Sequence, residues 1–97
     1  RLHAATVPAD VPPALEAEAQ RVACAAVEAF GTVGVATVEL FLMPPDAAGR
    51  PAAWVNEVAP RPHNTAHLTI EAHHTSQFEN HVRAVLDWPL GDPARRV

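Results

Sequence analysis

Twenty of the 97 residues are alanine, which limits the core this chain can build far more than its apolar fraction suggests. The apolar set makes up 48% of the chain, but only 26 of its members are large side chains, and 12 of those are valine. A chain of this length buries only about two thirds of the surface its unfolded form exposes. Together these features predict one small domain with a thin core and modest stability in isolation. Net charge is −4, with seven arginines and no lysine, and the isoelectric point is near 5.8. No basic stripe is present, which argues against nucleic acid as a partner. Cys24 is the only cysteine, which excludes an intramolecular disulfide and a multi-cysteine zinc site. No apolar run approaches the ~20 residues a membrane helix needs, and with Arg1-Leu2-His3 opening the sequence no secretory leader is expected. A soluble, cytoplasmic protein with no membrane partner is expected. The first residue is Arg1 rather than Met, which suggests a piece of something longer.

Along the chain, Ala5-Thr6-Val7 reads as a short edge strand ended by Pro8. Pro12-Pro13 suits a helix first turn. From Ala14 to Phe30, Leu15, Ala19, Val22, Ala23, Ala26, Val27 and Phe30 recur at helical spacing, and Gly31 stands where the helix should stop. Gly34 to Met43 is rich in β-formers and predicts a strand. Residues 44–51 are turn chemistry, and a second strand is expected from Ala53 to Ala59. Pro60 and Pro62 keep the following stretch out of helix and strand. His67 to Ile70 reads as a short extended segment. Ser76-Gln77-Phe78-Glu79 has the capping-box pattern, and Phe78, Val82, Val85 and Leu86 form the expected packing face of a last helix ending near Asp87. The α-β-β-α order predicts an α+β fold with an antiparallel sheet flanked by helices.

Glu39 is a carboxylate in the middle of an apolar strand, and Glu57 lies in the next one. The two are equidistant from Ala48, the middle of the expected turn, so a hairpin would set them directly opposite, with Cβ atoms ~5 Å apart. Like charges so placed repel unless neutralised. Mg²⁺ would do so, since it takes carboxylate oxygens at ~2.1 Å and keeps its other positions for water and phosphate. The alternatives are a Glu39 that faces solvent or pairs with an arginine, and a one-residue slip would separate the pair. His63 and His67 have i, i+4 spacing, which binds metal only on a helix, and the prolines argue against one there. His73, His74 and His81 are expected to be solvated.

The run Val55-Asn56-Glu57-Val58-Ala59-Pro60-Arg61-Pro62-His63-Asn64-Thr65-Ala66-His67 resembles the signature of the 5-(carboxyamino)imidazole ribonucleotide synthases, carboxylating ATP-grasp enzymes of purine biosynthesis. Gly34-Val35-Ala36-Thr37-Val38-Glu39-Leu40-Phe41 and Thr75-Ser76-Gln77-Phe78-Glu79-Asn80-His81-Val82-Arg83-Ala84 match two further segments of that family. Departures are Thr65-Ala66, where Ser-Gly is usual, and His73, where a smaller residue or Cys is common. Family chains are several times longer, so residues 1–97 resemble the C-terminal portion of an ATP-grasp domain without its flanking domains. The formate-using glycinamide ribonucleotide transformylases share the fold and a related motif. Asn64, Asn56 and Gln77-Phe78-Glu79 favour the carboxylating family. An inactive fragment of such a ligase is the other alternative.

The resemblance implies that Glu39 and Glu57 hold Mg²⁺ against the phosphates of ATP, with Asn56 beside Glu57 in the nucleotide site. It also implies the substrates ATP, bicarbonate and 5-aminoimidazole ribonucleotide, and a homodimeric full-length enzyme. Bicarbonate would take the γ-phosphoryl group, and the aminoimidazole amine would capture the activated carbon. Arg61 suits the phosphoryl oxygens because its planar fork matches phosphate or carboxylate; its alternative is a structural salt bridge. His63 and Asn64 would line the aminoimidazole or bicarbonate side. The 97 residues alone are expected to be inactive, with Trp54 and Leu68 as candidates for surface that packs elsewhere.

Overall fold

The computed structural model describes residues 7–97, and the edge strand expected around Ala5 and Thr6 lies outside the described residues. The elements in chain order are α1 (Pro13–Phe30), β1 (Thr37–Met43), β2 (Ala52–Ala59), a 3-10 turn (Asn64–Ala66), α2 (Thr69–Ala72) and α3 (Gln77–Val85). The strands are adjacent in a two-stranded antiparallel sheet, as the hairpin reading requires. The chain forms two compact units. One contains α1 to Gly31 and the hairpin from Val38 to Val58; the other contains Thr32–Thr37 and Ala59–Val97.

In the first unit, α1 starts with Pro13 at its first position and ends at Gly31, whose φ of 61° closes the helix with a bond to the Glu28 carbonyl. The expected packing face is half-buried from Leu15 to Val27, while Phe30 is exposed and no residue of α1 is fully buried. The turn between the strands is built by Asp46. Its carboxylate accepts from the Ala48 and Arg50 N–H groups, each at 2.9 Å, and its own N–H reaches the Arg50 carbonyl at 2.9 Å. This Asx arrangement satisfies the backbone where the sheet stops. The first turns of α1 share a groove with this turn, lined by Ala14, Ala17, Arg21, Asp46 and Arg50.

In the second unit, two sequence expectations are corrected. His67 to Ile70 is not extended: the chain runs from the 3-10 turn into α2, and Thr69 Oγ1 stitches the two by donating to the Ala66 carbonyl at 2.6 Å. The last helix is capped as expected, with Ser76 Oγ accepting from the Glu79 N–H at 3.1 Å. Glu79, however, pairs with Arg83 Nη2 at 2.7 Å one turn along. The apolar face expected to pack is outside: Phe78, Val82, Val85 and Leu86 are all exposed. Turned inward instead are Gln77, Asn80, His81 and Ala84, at i, i+3, i+4 and i+7. The helix ends in a left-handed Asp87 (φ 57°), with the Asp87 and Trp88 N–H groups on the Ala84 and Arg83 carbonyls.

The thin core follows the composition. Among the described residues Ala53 and Ala59 are the buried apolar residues, at 7% and 6% exposure, and no large side chain is fully buried. Trp54 is 60% exposed, in line with its reading as surface, whereas Leu68 is half-buried.

Candidate active site

Glu39 sits at the third position of β1 and is half-buried; Asn56 and Glu57 are exposed on β2. Three pairs of residues lie symmetrically about Ala48. They are Asp46 and Arg50, which the turn bond joins, then Glu39 and Glu57, and finally the strand ends Thr37 and Ala59. Asn56 and Glu57 are consecutive on a strand, so their side chains leave it on opposite faces.

Beyond β2 the chain cannot continue the ladder, because Pro60 and Pro62 lack N–H groups. It turns sharply: the Arg61 N–H bonds the Ala59 carbonyl at 2.9 Å. The Arg61 side chain is exposed, with Nη1 on the Pro62 carbonyl at 3.1 Å, and among the described residues it pairs with no carboxylate. The salt-bridge alternative therefore finds no partner there. His63 is buried and extended (φ −126°, ψ 146°) and caps the 3-10 turn. Its Nδ1 accepts from the Thr65 N–H at 3.3 Å and lies 2.8 Å from Thr65 Oγ1. Asn64, the first residue of the 3-10 turn, is exposed. The six predicted site residues thus divide between the units, with Glu39, Asn56 and Glu57 on the hairpin and Arg61, His63 and Asn64 on one loop.

Sequence reasoning missed the residues that hold this loop. Gln77 is 7% exposed, and its amide makes two bonds to one residue. Oε1 accepts from the His63 N–H at 2.9 Å, and Nε2 donates to the His63 carbonyl at 2.7 Å. The Gln77 N–H is itself fixed on Thr69 Oγ1 at 2.9 Å. One turn along, Asn80 does the same to Gly91, accepting its N–H at 2.8 Å and donating to its carbonyl at 3.4 Å. His81 Nδ1 accepts from the Val35 N–H at 3.0 Å, just ahead of β1. Polar residues on the inner face of a helix carry no hydropathy signal, which is why pattern reading chose the opposite face.

The histidines expected to be solvated are partly structural. His81 holds Val35, and His73 Nδ1 contacts the Pro93 carbonyl at 2.7 Å, while His74 is exposed. His67 lies against the Phe78 ring, with centroids 5.5 Å apart. Among the described residues no three His, Cys, Asp or Glu side chains converge on a common metal position. Carboxylates are hard oxygen donors of the kind Mg²⁺ takes while keeping several waters and substrate phosphates, and Glu39 and Glu57, on adjacent antiparallel strands, are of that donor type.

Residues 1–78 match the ATP-grasp domain model. This chain belongs to the ATP-grasp family. It is 50% identical over 82 residues to the N5-carboxyaminoimidazole ribonucleotide synthase of Mycobacterium tuberculosis, an alignment covering 84% of this chain and 18% of the relative. Among solved structures, the N5-carboxyaminoimidazole ribonucleotide synthetase of Thermotoga maritima superposes with a TM-score of 0.80 at 43% identity, over 92% of this chain and 23% of that one. The corresponding synthase of Aspergillus clavatus, solved with ADP and 5-aminoimidazole ribonucleotide, has a TM-score of 0.71 at 40% identity, over 84% of this chain and 21% of that one. This ATP-grasp chain therefore spans about a fifth of the length of the relatives it matches. The α+β architecture and the hairpin agree with membership of the family.

Proposed function

We propose that this ATP-grasp chain forms part of the active site of a ligase that carboxylates 5-aminoimidazole ribonucleotide with bicarbonate and ATP in purine biosynthesis. The likeness to the mycobacterial synthase carries the reading, and the symmetric glutamates of the hairpin supply a mechanism. If the pairing keeps that symmetry, Glu39 and Glu57 would be the residues that hold Mg²⁺, which would neutralise negative charge on the ATP phosphates. A bicarbonate oxygen attacks the γ-phosphorus and ADP leaves, giving carboxyphosphate. Release of phosphate then frees carbon dioxide, and the exocyclic amine of the ribonucleotide captures it and loses a proton to form the carbamate.

Arg61 is assigned to the transferring phosphoryl oxygens, where a fixed fork of N–H donors stabilises developing charge without reorganising. His63 and Asn64 are placed on the acceptor side. Asn56 is assigned to the nucleotide by family resemblance alone, because strand alternation sends its side chain to the face opposite Glu57 and so gives no geometric support. No described helix is long and apolar enough to cross a membrane, and the proposed enzyme is a cytoplasmic homodimer. The test is isotopic: with [¹⁸O]bicarbonate, ATP and 5-aminoimidazole ribonucleotide, the full-length protein should transfer ¹⁸O into released phosphate. Unlabelled phosphate, or turnover that requires formate instead, would refute the assignment.

A further inference from the structure

The polar residues of the inward face of α3 are two amides and a histidine, and each contacts backbone of a different segment: Gln77 the site loop, Asn80 the chain at Gly91, His81 the residues before β1. Only the Gln77 contact falls on a residue of the proposed site. A primary amide bonded to both the N–H and the carbonyl of one residue copies a strand partner, and it holds that residue in the extended conformation observed for His63. The consequence reaches the ring. Nδ1 faces the Thr65 N–H at 3.3 Å and Thr65 Oγ1 at 2.8 Å; a backbone N–H can only donate whereas a hydroxyl can do either, so the assignment that satisfies both contacts makes Nδ1 the acceptor and puts the proton of the neutral ring on Nε2.

We propose that Gln77 is a positioning residue: its two bonds to the His63 backbone fix the loop of Arg61, His63 and Asn64 and keep the His63 ring in the Nε2–H form. The ligase reading above enters only in what the loop is held for, which is phosphoryl and carboxyl transfer. Neither a carboxylate nor a thioether can replace the amide. The carboxylate of Gln77→Glu would accept from the His63 N–H but set an acceptor against the His63 carbonyl, and the thioether of Gln77→Met would offer no N–H donor.

The test uses this chain with ¹⁵N-labelled histidine rings, at a pH where they are neutral. Wild type should give the Nε2–H signature for His63. Gln77→Met and Gln77→Glu should turn it into a mixture of tautomers, with His63 amide exchange about tenfold faster or more. Asn80→Leu removes an equivalent double bond elsewhere and should leave the His63 signals unchanged. A wild-type Nδ1–H signature, an unaltered His63 spectrum in a folded Gln77 variant, or the same change in Asn80→Leu would each overturn the proposal. If Gln77→Met fails to fold, Gln77→Glu, which keeps one bond, decides the matter. In the full-length protein Gln77→Glu should lower kcat at least tenfold with the KM for ATP within twofold, and Asn80→Leu should change neither. Absence of turnover in the wild type would count against the ligase reading, while the ring spectra would still decide the role of Gln77.

Discussion

Gly34 offers the most quantitative test of how α3 fixes the approach to β1. Its φ is +101°, a conformation that L side chains rarely adopt, and a Cβ built there would stand 2.8 Å from His81 Nδ1 and 2.9 Å from His81 Cε1. Gly34→Ala therefore carries two separable penalties. Backbone strain at this φ costs about 1–2 kcal/mol. The clash pushes the His81 ring off the Val35 N–H, a part-buried donor now bonded at 3.0 Å, at a further cost of about 1–2 kcal/mol. The sum, about 2–4 kcal/mol, is a large share of what a domain of this size has to lose. Urea denaturation followed by circular dichroism measures it. In a His81→Ala background the steric part disappears, so Gly34→Ala should cost only about 1–2 kcal/mol there, a coupling of about 1–2 kcal/mol. A loss below about 1 kcal/mol in the wild-type background would refute the reasoning, and so would a full loss that persists without the His81 ring.

Other outcomes follow from the same geometry. Gly91→Ala would drive a methyl into the buried Thr75 side chain and should cost about 1–3 kcal/mol in the same denaturation assay. Ser76→Ala removes the cap of α3 and should cost about 1 kcal/mol, whereas Glu79→Gln, which breaks a partly exposed pair with Arg83, should cost under about 0.5 kcal/mol. The hydrogen bond from Arg21 holds the Glu18 carboxyl below the usual carboxylate range. The small contribution of this pair is present at neutral pH and is lost as pH falls through the lowered value. Far-ultraviolet dichroism should show helicity falling at a more acidic pH in wild type than in Arg21→Gln. In full-length enzyme, Arg61→Lys should lower turnover by more than it weakens ATP binding, because a point charge cannot replace a fork; steady-state kinetics beside nucleotide titration separates the two. The 97-residue chain alone, with Trp54 and much of α3 uncovered, should show no ATP-dependent phosphate release.

The elements legible in the sequence are those set by neighbours in the chain. Pro13 and Gly31 delimit α1, Asp46 writes the turn, the β-formers on either side of it write the strands, and Ser76 marks the start of α3; β1 begins at Thr37 rather than at the expected Gly34, whose φ of 101° takes the chain out of extended geometry. The helical form of residues 67–72 is hidden because it depends on Thr69, whose hydroxyl joins Ala66 to the N–H of Gln77 eight residues on. The orientation of α3 is hidden because its inward face is polar: Gln77, Asn80 and His81 satisfy backbone 14, 11 and 46 residues away. Such long-range satisfaction of backbone groups leaves no periodic trace. In the candidate site, the residue types and the symmetry of the glutamates about Ala48 can be read directly. The support behind His63 cannot, since it emerges only when the chain folds back on itself.

The central claim is that Glu39 and Glu57 together hold the divalent cation on which ATP cleavage depends. Its most direct test is phosphate release by full-length Glu57→Gln over a Mg²⁺ titration, with bicarbonate and 5-aminoimidazole ribonucleotide present and the melting curve recorded in parallel. Glu57 is exposed on β2, so the fold should survive the change while Mg²⁺-dependent turnover falls to background. A variant that turns over at the wild-type rate, with half-saturation at the same Mg²⁺ concentration, would contradict the account.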